Sequence, residues 1–313
     1  MDKYTKNILD LLKDKFLQVV GSVPFQSGSE AKSYYVQKLD DNLIKPMDEH
    51  AKHSYGQGSG NEIASGKMNS IRSSSAMTYN LLNTSTVTIK DNKSRIGSGI
   101  YTVEYEKQFH TLKPSVSGMP ANLDAFLFCS KTGEAVACEM KMTEWIFNKP
   151  GTLKAKYLDV HNYIDLEAGK VFTEIAKELI LPNDYDDPDE ILPESPCRMT
   201  RYDAFQMFKH AIACYTACVS ESANKINKLT LLNCTWAIKH PEKLEEKHRL
   251  RYIKEEECEL AEFTQFKQLM EPVKALFANK GVDFDIVFCK WDDFISLMDK
   301  SKVELDYLSR YEL

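Results

Sequence analysis

The feature that most restricts the fold of this chain is a pair of adjoining strand-like segments that carry acids. Residues 121–129 (ANLDAFLFC) are largely apolar around Asp124, and residues 135–142 (AVACEMKM) place Glu139 and Lys141 two positions apart. The intervening segment, SKTGEA, contains a glycine and is typical of a tight turn. Side chains two apart leave a strand on the same face, so the pattern predicts an antiparallel pair with Asp124 and Glu139 close to opposite one another.

The rest of the chain predicts further strands and helices around this pair. Residues 99–110 partly alternate and extend the pair to a three-stranded meander, and two more strands are predicted at 228–238 and 283–290. Helices are predicted at 1–20, 29–45, 68–83, 151–180, 199–221 and about 254–279, with loops at 50–66 and 181–196. The order predicts an α/β fold with a mixed central sheet flanked by helices. We divide it into an N-terminal helical extension with a Gly-rich loop, 1–66, and a core, 67–313.

Composition excludes few functions. The chain has 313 residues, 43% of them hydrophobic and 27% charged, and no apolar run approaches the roughly 20 residues that span a bilayer. We therefore expect a cytoplasmic protein without a membrane partner. The net charge of −6 leaves nucleic-acid binding open, because phosphates respond to a local basic cleft. No cysteines form a CxxC pair, which favours reduced thiols over a zinc ribbon.

Asp124, Glu139 and Lys141 together suggest metal chemistry. A carboxylate in an apolar strand costs several kcal/mol unless it is paired or bound to a metal. Two facing carboxylates repel, and a hard divalent cation between them removes the repulsion. Lys141 is then placed to orient or deprotonate a water that attacks a phosphodiester. From these residues alone, an ordinary salt bridge at the end of a sheet stays open as the alternative to a metal site.

Several further motifs resemble the PD-(D/E)XK, or restriction-endonuclease-like, nuclease superfamily, and specifically a group of bacterial restriction-endonuclease homologues. The resemblance covers about residues 50–240. Two positions depart from the family pattern, Met140 in place of Ser and Ala121 in place of Pro, and neither removes a metal ligand. The matching segments, in chain order, are Gly58-Ser59-Gly60-Asn61-Glu62, Ser73-Ser74-Ser75-Ala76 through Asn80, Tyr105-Glu106, Met119-Pro120-Ala121-Asn122-Leu123-Asp124, Glu139-Met140-Lys141-Met142-Thr143-Glu144, and Gln206-Met207-Phe208-Lys209-His210.

The resemblance implies a restriction-endonuclease-like fold and a role for each matched side chain. Asp124 and Glu139 would bind Mg²⁺, for which Mn²⁺ would substitute, with Glu106 as a further metal ligand and Glu104 as its substitute. Lys141 and Gln206 would be catalytic.

Other matched residues have more open roles. Lys209, His210 and Ser74 would contact nucleic acid, although N-capping explains the serines as well. Glu62 would reach the site from its glycine loop, and Glu144 would support the metal ligands.

The function that follows is a Mg²⁺-dependent endonuclease acting on DNA, as part of a restriction or other defence system. Double-strand cleavage favours a homodimer. The sequence contains no GxxxxGK[ST] motif, so translocation would need a partner subunit. Two alternatives stay open: a catalytically silent module of the same fold that binds nucleic acid or a partner, and an interaction protein that uses 181–196 and the charged segment 241–260.

Overall fold

A six-stranded sheet forms the centre of the molecule. The computed structural model describes residues 1–57, 61–90, 95–116, 118, 120–147, 151, 153–179, 199–220 and 226–313. Strands that are consecutive in the chain are neighbours in the sheet. The first four form an antiparallel meander, and the last two are added parallel to the fourth. The strands are β1 (Thr86–Ile89), β2 (Gly99–Phe109), β3 (Ala121–Cys129), β4 (Glu134–Lys141), β5 (Lys228–Thr235) and β6 (Asp283–Lys290).

Helices cover both faces of this sheet. They are α1 (Lys3–Val20), α2 (Glu49–Gln57), α3 (Ser74–Leu81), α4 (Glu144–Phe147), α5 (Leu166–Leu179), α6 (Ala204–Ser220), α7 (Glu246–Leu269), α8 (Glu271–Ala278), α9 (Trp291–Leu297) and α10 (Leu305–Leu308). One face packs against α1, α2, α3, α9 and α10. The other packs against α5, α6 and α8. Covered on both faces, β5 is buried at every position after Lys228, as is typical of an internal parallel strand.

The predicted mixed α/β class is confirmed, and so is the meander. Its strands β2, β3 and β4 fall within or beside the predicted segments, and the turn between β3 and β4 is closed by Gly133 at φ 66°. The strand predicted at 283–290 coincides with β6. The finer restriction-endonuclease-like fold stays a prediction.

Two predictions in the N-terminal region are wrong. Residues 29–45 form short 3₁₀ turns in place of a helix, because Val36 and Tyr35 instead pair as isolated bridges with Phe25 and Ser70. Residues 50–66 include the helix α2 in place of a loop. The Asp48 carboxylate accepts a hydrogen bond from the Ala51 amide at its start, which caps it.

Two predicted helices have different bounds. Only α5 is α-helical within 151–180, and it begins after 3₁₀ turns at 155–158 and 160–162. The single helix predicted at about 254–279 is two helices, α7 and α8, which meet at Met270. Pro272 explains the break, since it lacks an amide hydrogen and clashes with the preceding turn. Strand β1 was not predicted.

The N-terminal helix is part of the main core. Tyr4, Ile8, Leu12 and Phe16 of α1 are buried together with residues of β2 to β5. Asn42 joins both ends of the chain, because it donates to the Met68 carbonyl and accepts from Arg310. The division at residue 66 stays a prediction, but the segment before it shares its core with the sheet.

Other expectations concern the whole chain. Among the described residues, no helix has the length and apolar character needed to cross a membrane. The cysteines in the described ranges are free thiols. Four predicted features lie outside the described residues: the glycines and serine at 58–60, Met119, the acidic segment 181–196 and Cys197.

Candidate functional site

A cavity of about 1060 Å³ opens where β2, β3 and β4 meet α3, α6 and the 3₁₀ turn at 155–158. Its lining joins segments that are far apart in the chain. The predicted site residues all contribute to it: Glu62, Ser74, Glu106, Asp124, Glu139, Lys141, Glu144, Gln206, Lys209 and His210. Glu104 does not line the cavity and instead pairs with Lys107, 2.7 Å away.

Three carboxylates lie side by side across the floor of the cavity. Ala125 pairs with Cys138; Asp124 directly precedes the first and Glu139 directly follows the second, so the antiparallel β3–β4 register places the two acids opposite each other. On the other side of β3, Asp124 faces Glu106, which lies between two register-paired residues of β2. We call Glu106, Asp124 and Glu139 the acid row. The prediction that Asp124 and Glu139 lie opposite one another is confirmed.

Glu106 has an unusual backbone conformation for a strand residue. Its φ is +47°, in the left-handed region that residues other than glycine rarely adopt, and its side chain is 8% exposed. Such a conformation costs about 1 to 3 kcal/mol and is often found at functional sites. The strain occurs at the level of the acid row.

Glu139 is held by two basic side chains. Its Oε1 lies 2.7 Å from the Lys141 ammonium, and its Oε2 lies 2.8 Å from Nε2 of His210. The Lys141 ammonium also donates to Oε1 of Gln206 at 2.5 Å. The helix α6 thus provides two of the side chains that fix the ExK residues of β4.

The pKa values show that the acid row is crowded with negative charge. Burial raises the pKa of Asp124 well above its usual value, and the charges of Glu139 and Glu106 raise it further. Burial raises the pKa of Glu106 to about 8, with contributions from Glu62 and Glu139. Burial also opposes ionisation of Glu139, but the Lys141 charge and the His210 hydrogen bond outweigh it and lower its pKa.

The start of α6 is fixed by a carboxylate from a distant helix. Glu262 of α7 accepts hydrogen bonds from the amides of Thr200, Arg201 and Tyr202, at 2.7 to 2.8 Å. It also accepts one from the Thr200 hydroxyl at 2.9 Å. Asp203 then caps the helix by accepting from the Gln206 amide. These bonds set the position from which α6 reaches the acid row.

Some predicted residues have contacts that differ from their predicted roles. His210, expected to contact nucleic acid, is 2% exposed and is bonded to Glu139, so it orients that carboxylate. Ser73 is the N-cap of α3 and accepts from the Ala76 amide, while Ser74 lines the cavity beside it. Glu144 accepts from the Met142 amide. Glu62 forms an ion pair with Lys67, 3.2 Å away.

Four basic residues of the cavity were not predicted from the sequence: Lys67, Arg72, Lys154 and Lys156. Arg72 directly precedes the serine motif, and Lys154 and Lys156 lie two residues apart at the start of a 3₁₀ turn, but neither pattern differs from that of an ordinary surface. Their place in the cavity depends on tertiary packing, which local sequence does not show.

The oxygen ligands of the acid row suit a hard divalent cation. Among the described residues, however, no group of three or more His, Cys, Asp or Glu side chains is arranged to hold a metal ion. Both oxygens of Glu139 have protein partners, and Oδ2 of Asp124 accepts from the Met140 amide at 2.7 Å. The donor chemistry fits, and binding would require Glu139 to exchange its contact with Lys141 for the cation.

Comparison with known proteins adds no relative. No family model, curated protein or solved structure matches this chain. The resemblance to PD-(D/E)XK nucleases therefore depends on the sequence motifs alone.

Proposed function

We propose that this chain is a metal-dependent endonuclease that hydrolyses phosphodiester bonds in DNA. The observation that supports this most strongly is the acid row together with Lys141. Three carboxylates occupy one level of three adjacent strands, and they border an open cavity that also has basic walls. An acidic floor for a cation beneath basic groups for phosphate is the arrangement that metal-assisted phosphodiester hydrolysis needs.

Each side chain has a role in this proposal. Asp124, Glu139 and Glu106 would hold Mg²⁺, or Mn²⁺ in its place. When bound, the cation lowers the pKa of a water and offsets the charge that develops on the phosphate.

The remaining polar groups of the site orient its reactive members. Lys141 directs the water at the phosphate, and Gln206 fixes the Lys141 ammonium through their 2.5 Å contact. His210 holds Glu139 in the orientation that ligation requires.

The biological setting is an extension of the same proposal. Cleavage of both strands would be carried out by a homodimer, because each chain carries one acid row. A restriction or other defence system, with a partner subunit that selects the target, is the setting that the motif resemblance favours, and a cytoplasmic location is consistent with it.

The test is cleavage of supercoiled plasmid by the purified protein with Mg²⁺, with Mn²⁺ and with EDTA. We expect nicking or linearisation that requires the metal. Lys141→Ala and Asp124→Asn should each lower the rate by at least about a thousandfold, since they remove groups that act on the transition state. Lys170→Ala, an exposed change on α5, is the matched control. Activity that persists in EDTA or in both variants would contradict the proposal.

A second candidate is a catalytically silent module of the same kind that binds nucleic acid or a partner protein. The observation that favours it is that both carboxylate oxygens of Glu139 already have protein partners, Oε1 with Lys141 and Oε2 with His210. Binding of plasmid without cleavage, by a folded protein in either metal, would support this candidate over the enzyme.

A further inference from the structure

Three lysines lie together on one wall of the cavity. Lys154 and Lys156 belong to the segment of the 3₁₀ turn at 155–158, and Lys209 lies on α6. All three line the cavity. We call them the lysine wall. The proposed hydrolysis assigns no role to Lys154 or Lys156, and the motif resemblance gave only Lys209 a contact with nucleic acid.

The turn is held firmly against α6. Tyr157 is buried, and its ring packs against that of Phe208, with centroids 6.4 Å apart. The Tyr157 carbonyl accepts from the Tyr163 hydroxyl at 2.6 Å, and the Lys156 carbonyl accepts from the Asn162 amide group at 2.8 Å. Since Phe208 directly precedes Lys209, this packing brings lysines from both elements to one wall.

The ammonium of Lys156 occupies a space that a glycine creates. A Cβ atom added at Gly118 would lie 2.1 Å from Nζ of Lys156, far inside contact distance. Only a residue without a side chain at 118 leaves the ammonium in its present position. The ammonium therefore lies in the space beside Gly118.

The three charges are close enough to repel one another. Burial lowers the pKa of Lys156, and the charges of Lys154 and Lys209 lower it further. In the described part of the chain, Lys154 and Lys209 form no ion pair with an acid. Two of these three neighbouring cations therefore have no carboxylate partner there. Such a group of charges favours an anionic ligand.

The lysine wall is displaced from the reactive groups. Lys209 is three residues after Gln206, about one turn or 4.5 Å further along α6. Gln206 is the residue that contacts Lys141. Along α6, Lys209 therefore lies about one turn away from the residue that contacts Lys141.

We propose that Lys154, Lys156 and Lys209 form a binding site for a backbone phosphate of duplex DNA that neighbours the phosphate to be hydrolysed. This rests on the proposed nuclease function for the identity of the ligand. The site contacts phosphates, so it contributes affinity without sequence preference.

The test is equilibrium binding of a fluorescein-labelled 30-base-pair duplex to the full chain in EDTA, where no metal-dependent cleavage occurs. The variant Lys154→Gln/Lys156→Gln/Lys209→Gln removes the charges and keeps the side-chain stems. Its control, Lys131→Gln/Lys170→Gln/Lys300→Gln, removes the same charge from exposed positions elsewhere. We expect the first variant to bind about tenfold or more weakly than the control in low salt. Its slope of log affinity against log salt should fall by about 0.9, the value for one lost phosphate contact.

A second variant keeps all three charges. Gly118→Ala should displace the Lys156 ammonium, since the atom that must move is the end of a flexible side chain. We expect a smaller loss of affinity, about two- to fivefold, with an unchanged melting temperature. Equal binding by the lysine-wall variant and its control, or unchanged binding by folded Gly118→Ala, would overturn this site. The binding assay does not depend on turnover, so neither of its results decides the cleavage test of the nuclease. Loss of cleavage without loss of binding would contradict the nuclease and not the lysine wall.

Discussion

Two regions of this molecule bury acids, and they do so in different ways. On α7, three glutamates are buried, and each has a partner suited to its charge. Glu255 pairs with Arg201 and Arg251, and Glu259 pairs with Lys290. Glu262 accepts hydrogen bonds from a set of backbone amides. In the acid row, by contrast, Glu139 forms an ion pair with Lys141, whereas Asp124 and Glu106 mainly face other carboxylates.

The difference separates acids with a structural role from those that we propose to be functional. Truncating a buried carboxylate that has dedicated donors destabilises the fold, because its partners are left unsatisfied. Carboxylates that raise one another's pKa are costly in the absence of a ligand, and such clusters are concentrated at functional sites. The cost in the acid row is the reason to expect a cation there.

The largest effect on stability should come from the α7 acids. Glu262→Ala removes the acceptor for three backbone amides and the Thr200 hydroxyl. We expect it to lower the free energy of unfolding by about 2 to 4 kcal/mol, measured by urea denaturation. Glu257→Ala, at an exposed position on the same helix, should change it by less than about 0.5 kcal/mol. Equal losses of unfolding free energy in the two variants would contradict the distinction between the α7 acids and the acid row.

Glu259 sharpens the comparison, because it is the α7 acid most like those of the site. Burial raises its pKa to about 7 despite the Lys290 ammonium 3.1 Å away. The folded protein then keeps a proton that the unfolded chain releases, so the wild type loses stability as the pH rises from about 4.5 to 7.

The variant Glu259→Gln should lack this loss. It should gain stability relative to the wild type through that window, by roughly 1 to 3 kcal/mol at pH 8, as followed by thermal unfolding at several pH values. A difference between the two proteins that does not change with pH would show that Glu259 ionises normally.

The smallest effect has the opposite sign to that of Glu262→Ala. Asp124→Asn keeps an oxygen that can accept from the Met140 amide and removes one of the facing charges. In EDTA at pH 8 we expect it to stabilise the protein by about 1 kcal/mol, since burial and like charges both disfavour the carboxylate. Asp14→Asn, on the exposed side of α1, should have no effect. Destabilisation by Asp124→Asn would instead mark Asp124 as a structural acid.

The acid row could be predicted from the sequence, but only part of its surroundings could be. Strand alternation and one tight turn are local signals, and they place Asp124 opposite Glu139 without knowledge of the rest of the fold. The roles of Glu262, Lys154 and Lys156 could not be predicted, because each depends on contacts between elements distant in the chain. The missed α2 shows a local failure, since a Gly- and His-containing segment can still be helical when Ala51 and Tyr55 are buried.

The central claim is that the acid row binds the cation used in hydrolysis, and binding of Mn²⁺ tests it most directly. The free and bound ion can be distinguished by electron paramagnetic resonance, with the full chain, Asp124→Asn and the α7 control Glu259→Gln. We predict that the wild type and Glu259→Gln bind Mn²⁺ equally and that Asp124→Asn binds it at least about tenfold more weakly. Equal binding by all three proteins, or no binding by the wild type, would contradict the claim.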